Sequence, residues 1–415
     1  MKRAVPVITS RIADLDTYIS NYKGFGIIGR LCFIIDKSED LRAEATYILL
    51  NHLKHTTNTS LYKKIFQEAK SREKKIQNND HNSQNKYELG EFDSEWVART
   101  EARAMEQLHV KEEELKSISS QHIKETARFG HHDMGEFFYH RGDLQKALEG
   151  YLNALEYCSD VRHFRNTCVY IIISSLWLGV YSEVNQFIGK AEKKAKNLPE
   201  VLQVQLFSSL GLVELHNRNY REAAKAFTSI SPELGCNFCE VLSPCDVAVY
   251  GGITALATFS REELFELIAN NKSFKSHIEL FPIMRELLQF YHANLYANCF
   301  SVLMELRKDF LLDVFLSPHF DDLLKIIRQN ALISYCSSFL SIRIPKMALV
   351  FGSEVSGLEE ELINLIKSGK LNAKIDKVNN NLSLEAVGES SALYEEVLKK
   401  GKDCNANTSA RLLHS

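Results

Sequence analysis

Four side chains in one short run have the types and spacing to hold a metal ion. His131, His132, Glu136 and His140 stand in HHDMGEFFYH, and helical offsets of four and eight residues place them on one face. An exposed helix face beside a packed core accounts for the same pattern, and that reading is favoured. Cys236, Cys239 and Cys245 lie within ten residues and include a C-x-x-C pair, which suits zinc or redox chemistry. A structural zinc site needs a fourth ligand, and the chain offers no second C-x-x-C and no H-x-x-x-H. Loop thiols without metal are therefore expected. GFGIIG matches the dinucleotide-binding spacing at Gly24, Gly26 and Gly29. That motif needs a buried strand before it and a helix after it. LDTYISNY before it is no such strand, so a loop between helices is expected. H-E-x-x-H, G-x-S-x-G, the phosphate-loop motif and the H-x-H of metal-dependent isopeptidases are all missing. No catalytic, cofactor-binding or metal-ligating set follows from these residues.

The elements that would position such groups read as helices. In SPCDVAVYGGITALATFSREEL, Ser243 can cap, Pro244 suits the first helical position and Asp246 completes a capping box. Ser260 and Glu263 repeat the device. Gly251 and Gly252 then fall inside a nearly apolar helix, where glycine costs about 1 kcal/mol relative to alanine. Gly251 and Ala255 share a face, so Gly251, Gly252 and Ala255 are assigned to close helix packing.

Bulk properties agree. Hydrophobic residues make up 45% of 415, with only 7 prolines and 19 glycines, which predicts a mostly α protein of two or three domains. Lys plus Arg number 50 against 53 Asp plus Glu, a balance that opposes global nucleic-acid binding. Nine scattered cysteines suit a reducing compartment, cytoplasm or nucleus. The longest greasy run, VYIIISSLWLGVY, is too short to span a bilayer and contains two serines, so no membrane role is expected.

Residues 1–93 read as an N-terminal region of two or three helices ending in a polar linker over 71–93. Over 94–235 a pattern recurs. Leu144, Ala147, Tyr151 and Ala154 align with Tyr181, Val184, Ile188 and Ala191, then with Tyr220, Ala223, Phe227 and Ile230, at offsets of 37 and 39 residues. Gly135 and Gly211 precede the first and third copies at matching places. The arm resembles degenerate tetratricopeptide repeats. Residues 236–388 form a third region. Within it, 345–388 read as helix, turn, helix and a two-stranded wing: Pro345 opens KMALVFG, Ser356 caps the next helix, and Gly369 stops it. Leu371, Ala373 and Ile375 alternate with Asn372 and Lys374, and Leu382 alternates with Leu384 beyond an Asn turn. SSALYEEVLKK forms one more helix within 389–415 before a polar tail. The second winged-helix helix carries Glu359, Glu360 and Glu361 against Lys367, so phosphate repulsion opposes entry into a DNA groove.

Helical repeats running into a winged helix resemble the PCI-domain family of scaffold subunits in the proteasome lid, the COP-nine signalosome and translation initiation factor three. YGGITALATF, LRAEATYILL, HHDMGEFFYHRGDLQKAL and LRKDFLLDVFLSPHFDDLLKIIRQNALISYCSSF are similar to segments of its signalosome subunit-one branch. The resemblance covers about residues 18–400, and the proteasome-lid paralogue remains an alternative, as does a winged-helix initiation-factor or nucleic-acid-binding scaffold. It implies a non-catalytic scaffold in the complex that removes Nedd8 from cullins and so regulates cullin-RING ubiquitin ligases. Neighbouring signalosome subunits, two and three among them, and cullin-RING ligase components are the implied partners. The wing residues Leu371, Asn372, Ala373, Lys374, Leu382 and Leu384 would join subunits edge to edge. Leu393 and Val397, on a helix over 390–400, would enter a shared bundle.

Overall fold

The computed structural model describes residues 14–77, 90–121, 124–193 and 199–384. These residues are mostly helical, with one small sheet. They fall into two compact units: 1–293 with 301–327, and 294–300 with 328–415.

The first unit opens with α1 (Leu15–Ile19), α2 (Phe25–Lys37), α3 (Arg42–Lys54), α4 (Thr59–Gln77) and α5 (Ser94–Gln121). Leu15, Leu31, Ile34, Ala45, Leu49 and Leu53 are fully buried in their shared core. Two expectations are corrected here. α4 takes in residues 71–77 of the expected linker, because SREKKIQ is polar yet made mainly of good helix formers. GFGIIG is not a loop. Gly24, at φ 51°, is the N-cap of α2, and Gly26 and Gly29 lie inside it. A Cβ on Gly26 would stand 2.7 Å from the Glu240 carbonyl oxygen, and one on Gly29 would strike Trp177. The glycines serve helix packing rather than a turn.

The arm follows as α6 (Lys124–His140), α7 (Leu144–Glu156), α8 (Val161–Leu178), α9 (Tyr181–Lys193), α10 (Glu200–His216) and α11 (Tyr220–Thr228). Each helix packs on the next. The aligned positions are the core of this stack: Ala147, Val184, Ala223 and Phe227 have no exposed surface, and Tyr151 has 1%. A Cβ on Gly135 would meet the Tyr151 ring at 2.7 Å, and one on Gly211 the Phe227 ring at 2.6 Å. Large side chains of one helix thus fill the space that small ones leave on its neighbour. Residues 171–176 of the greasy run are buried in α8, and no helix among the described residues is long and apolar enough to cross a membrane.

A 3₁₀ turn (Pro232–Leu234) leads to α12 (Pro244–Thr258), α13 (Arg261–Ala269), α14 (Lys272–Leu280) and α15 (Pro282–His292). Both capping boxes form, Ser243 with Asp246 and Ser260 with Glu263. Gly251 leaves room for Phe274, whose ring would lie 2.6 Å from a Cβ there, and Gly252 leaves room for the Met284 thioether. Ala255 is fully buried on the same helix. α16 (Tyr296–Leu311) and α17 (Ser317–Cys336) come next.

The second unit holds the winged helix: β1 (Ser341–Arg343), α18 (Ile344–Phe351), α19 (Val355–Lys367), β2 (Ala373–Asp376) and β3 (Asn381–Leu384). The wing is not two-stranded. β1 adds to it, giving the antiparallel order β1-β3-β2. A three-residue strand is too short to show alternation, so nothing in SIR announced it. α19 is capped at Glu354 rather than Ser356, which sits in the first turn. Gly369, at φ 70°, does end it.

Candidate functional site

The metal-type residues on α6 do not converge as a set. His131 turns aside and stacks on the Tyr157 ring, 5.4 Å away at 9°. His132, Asp133 and Glu136 offer ligand atoms within 4.8 Å of one another, and His140 Nε2 lies 3.6 Å from Glu136. The Lys111 ammonium is 3.8 Å from Asp133, a fixed cation competing for that carboxylate. Burial between Tyr151 and Tyr170 keeps the His132 pKa below its ordinary value. The cysteines do not share a centre either. Cys236 is exposed. Cys239 is buried, and burial together with Cys236 pushes its thiol up to about 11. Cys245 Sγ donates to the Leu280 carbonyl at 3.7 Å. A thiol held protonated is a poor nucleophile and a poor ligand.

A charged centre that the sequence reading missed lies inside the first unit. Arg30 of α2 has no exposed surface. Its Nη2 donates to Asp246 Oδ2 at 3.1 Å and to the Val241 carbonyl at 2.9 Å, and Nη1 lies 3.6 Å from Asp313 Oδ2. The guanidinium also stands 4.0 Å over the Tyr22 ring. Tyr22 Oη reaches both Asp246 oxygens at 2.8 and 2.9 Å, while Tyr250 Oη donates to Asp313 at 2.5 Å. Asp313 further accepts from the Phe315 and Leu316 backbone N–H groups. Burial alone would lower the Arg30 pKa, but Tyr22, Tyr18, Tyr250 and Asp313 outweigh it and hold it well above normal. This is structural chemistry: a buried cation ties α2 to α12 and to the turn before α17. One signal could have revealed it. FGIIGRLCFII is apolar nearly all round, so its helix must be buried and its arginine with it.

The wing is built around its central strand. Leu382 on central β3 pairs with Ile342 on one side and Ile375 on the other, and is fully buried. Leu371 and Ala373 are also buried, and Leu384 is half-buried. The expectation that these side chains touch a partner is corrected for Leu371, Ala373 and Leu382: they pack under the sheet. Asn372 and Lys374 are exposed, and among the described residues β2 lies at an edge of the sheet. The turn that joins it to β3 is held by Asp376, which accepts from the Val378 backbone and the Asn379 side chain. Leu393 and Val397 lie outside the described residues.

On α19, Glu361 is held by Arg328, whose Nε is 2.7 and 2.9 Å from its two oxygens. Glu360 is exposed and Glu359 half-buried, so the acid face opposes a phosphate backbone.

Comparison with known proteins bears on this architecture. Residues 93–267 match the 26S proteasome subunit RPN7 family model, and residues 272–385 match the PCI domain. The COP9 signalosome complex subunit 1 of Arabidopsis thaliana is 33% identical, over 99% of this chain and 91% of its own length. Subunit 1b of Drosophila melanogaster is 30% identical, over 99% and 86%. The 26S proteasome non-ATPase regulatory subunit 6 homolog of Arabidopsis thaliana is 24% identical, over 70% and 76%. Helical repeats, a winged helix with a three-stranded sheet and similarity along almost the whole length lead to one assignment: the chain belongs to the COP9 signalosome complex subunit 1 family.

Proposed function

We propose that this chain is a non-catalytic scaffold of the signalosome, the assembly that removes Nedd8 from cullins and thereby regulates cullin-RING ubiquitin ligases. Neighbouring PCI subunits, two and three among them, join it at the wing, and the helical arm reaches ligase components. The observation that carries this reading is the strand order β1-β3-β2. With β3 inside, β2 lies at an edge of the sheet among the described residues, and a strand at a sheet edge is a natural joint between chains. The eight described cysteines are all free thiols, which supports a place in the reducing cytoplasm and nucleus.

Affinity purification of the tagged chain from cells tests the reading. Signalosome subunits are expected to co-purify with the parent chain. They should be lost with Leu382→Asp, which puts a charge into the wing core and distorts the β2 edge. Recovery of proteasome-lid subunits instead, or full recovery with Leu382→Asp, overturns the proposal.

A further inference from the structure

The C-x-x-C pair lies at a joint of the first unit. Cys236 and Cys239 stand on the tight turn between the 3₁₀ turn and α12, and their side chains are hydrogen-bonded to each other. Cys239 and the two residues after it tie neighbouring elements to this turn. The Cys239 carbonyl accepts from the Lys23 N–H at 3.0 Å, just before α2. The Glu240 carbonyl accepts from Trp177 Nε1 of α8 at 3.1 Å, and its carboxylate accepts from Tyr139 Oη of α6 at 2.8 Å. The Val241 carbonyl accepts from Arg30 of α2 at 2.9 Å. A change at the pair therefore acts on the attachment of three helices.

The two thiols differ in access. Among the described cysteines Cys236 alone is exposed, while Cys239 keeps 2% of its surface. Burial and then Cys236 push the Cys239 thiol up to about 11, and Lys23 pulls it only partly back. Cys239 is thus held as a thiol away from solvent, and Cys236 is the sulfur that meets an oxidant first. Cys245 stands outside this arrangement, with its Sγ on the Leu280 carbonyl.

We propose that Cys236 and Cys239 are a redox modification site, at which a hydroperoxide converts the pair into a reversible disulfide. The Cys236 sulfur attacks the peroxide: an S–O bond forms, the O–O bond breaks, and water leaves with the Cys236 proton, giving a sulfenic acid. The Cys239 sulfur then attacks the Cys236 sulfur. An S–S bond forms, the S–O bond breaks, and the hydroxyl leaves as water with the Cys239 proton. The two thiols lose two electrons in all, and hydrogen peroxide is reduced to two waters. Disulfides of this kind in a reducing compartment are transient and redox-sensing. The sulfurs must close from hydrogen-bonding distance to about 2.05 Å, which shifts Cys239 and with it the carbonyl that seats Lys23. Oxidation thereby loosens the chain where it enters α2. The site is separate from the wing and does not depend on the assembly role.

The full chain, reduced and then treated with hydrogen peroxide, tests this. The remaining thiols are blocked before digestion with trypsin. Peptide 226–261 carries Cys236, Cys239 and Cys245, and mass spectrometry should find the first two joined and the third blocked. Dithiothreitol should restore both thiols. Cys239→Ala keeps the buried position apolar and should stop the reaction at a Cys236 sulfenic acid, trapped by dimedone. Cys236→Ser, at an exposed position, should leave Cys239 a thiol under the same treatment. Hydrogen exchange adds a structural readout: the Lys23 amide should lose protection in the oxidised parent and keep it in treated Cys236→Ser. Two thiols that stay reduced in the parent, a disulfide to Cys245 or between chains instead, or a Lys23 amide equally protected in both redox forms overturns the proposal.

Discussion

Arg30 makes the consequence of a single substitution unusually large. Removing it leaves Asp246 and Asp313 buried without their cation, and breaking a buried pair by deleting one partner costs about 3–5 kcal/mol. Arg30→Ala should lower the urea midpoint accordingly, and an unchanged midpoint would show that Tyr22 and Tyr250 suffice as donors. Gly252 is constrained by sterics instead. Gly252→Leu drives a side chain into Met284, an overpacking worth about 1–3 kcal/mol. Thermal melting reads it directly, and an unaltered midpoint would mean that Met284 swings clear. His277 adds a pH dependence. It is almost fully buried, and burial pulls its pKa below the ordinary value, against backbone bonds at Ser231, Ile230 and Pro244. The unfolded chain therefore takes up a proton that the folded one resists, so this contribution is present above pH about 6.5 and is lost as the pH falls below it. Melts at neutral and mildly acid pH should differ by less in His277→Gln than in the parent.

The helices were legible wherever a local rule governs them. Ser243 with Asp246, Ser260 with Glu263, Pro345 and Gly369 announce helix ends through hydrogen bonds and dihedral preferences that act within a few residues. The arm was legible because Ala147, Val184 and Ala223 repeat a packing requirement. β1 was not, since three residues carry no period and its partner, β3, lies some forty positions downstream. The partners of Arg30 were likewise invisible. Asp246 looked complete as a capping residue, and its second task depends on a helix 216 residues away. The wing carries the prediction at this scale. Leu382→Asp should leave the arm over 94–235 resistant to limited proteolysis while the chain drops out of its complex. Cys236→Ser, Cys239→Ser and Cys245→Ser together should leave assembly intact, because the three thiols share no centre. The opposite pattern would assign the cysteines a metal and deny the wing its role.

At the scale of the molecule, the one metal-type trio found among the described residues has Lys111 beside it. The purified chain, supplied with zinc, should leave a Nedd8–cullin conjugate uncut over hours; measurable cleavage would make it an enzyme in its own right. The long reach of the Arg30 contacts also has a consequence in time. Translation proceeds at about 5–20 residues per second, so a separation of 216 residues means that Arg30 waits on the order of 10 to 40 s before Asp246 exists. α1 and α3 to α5 cover one side of α2 early, but the face that meets the Glu240 backbone at Gly26 lacks its partner until residue 240 is made. The nascent N-terminal helices are thus a predictable client for chaperones until residues 240–246 have been made.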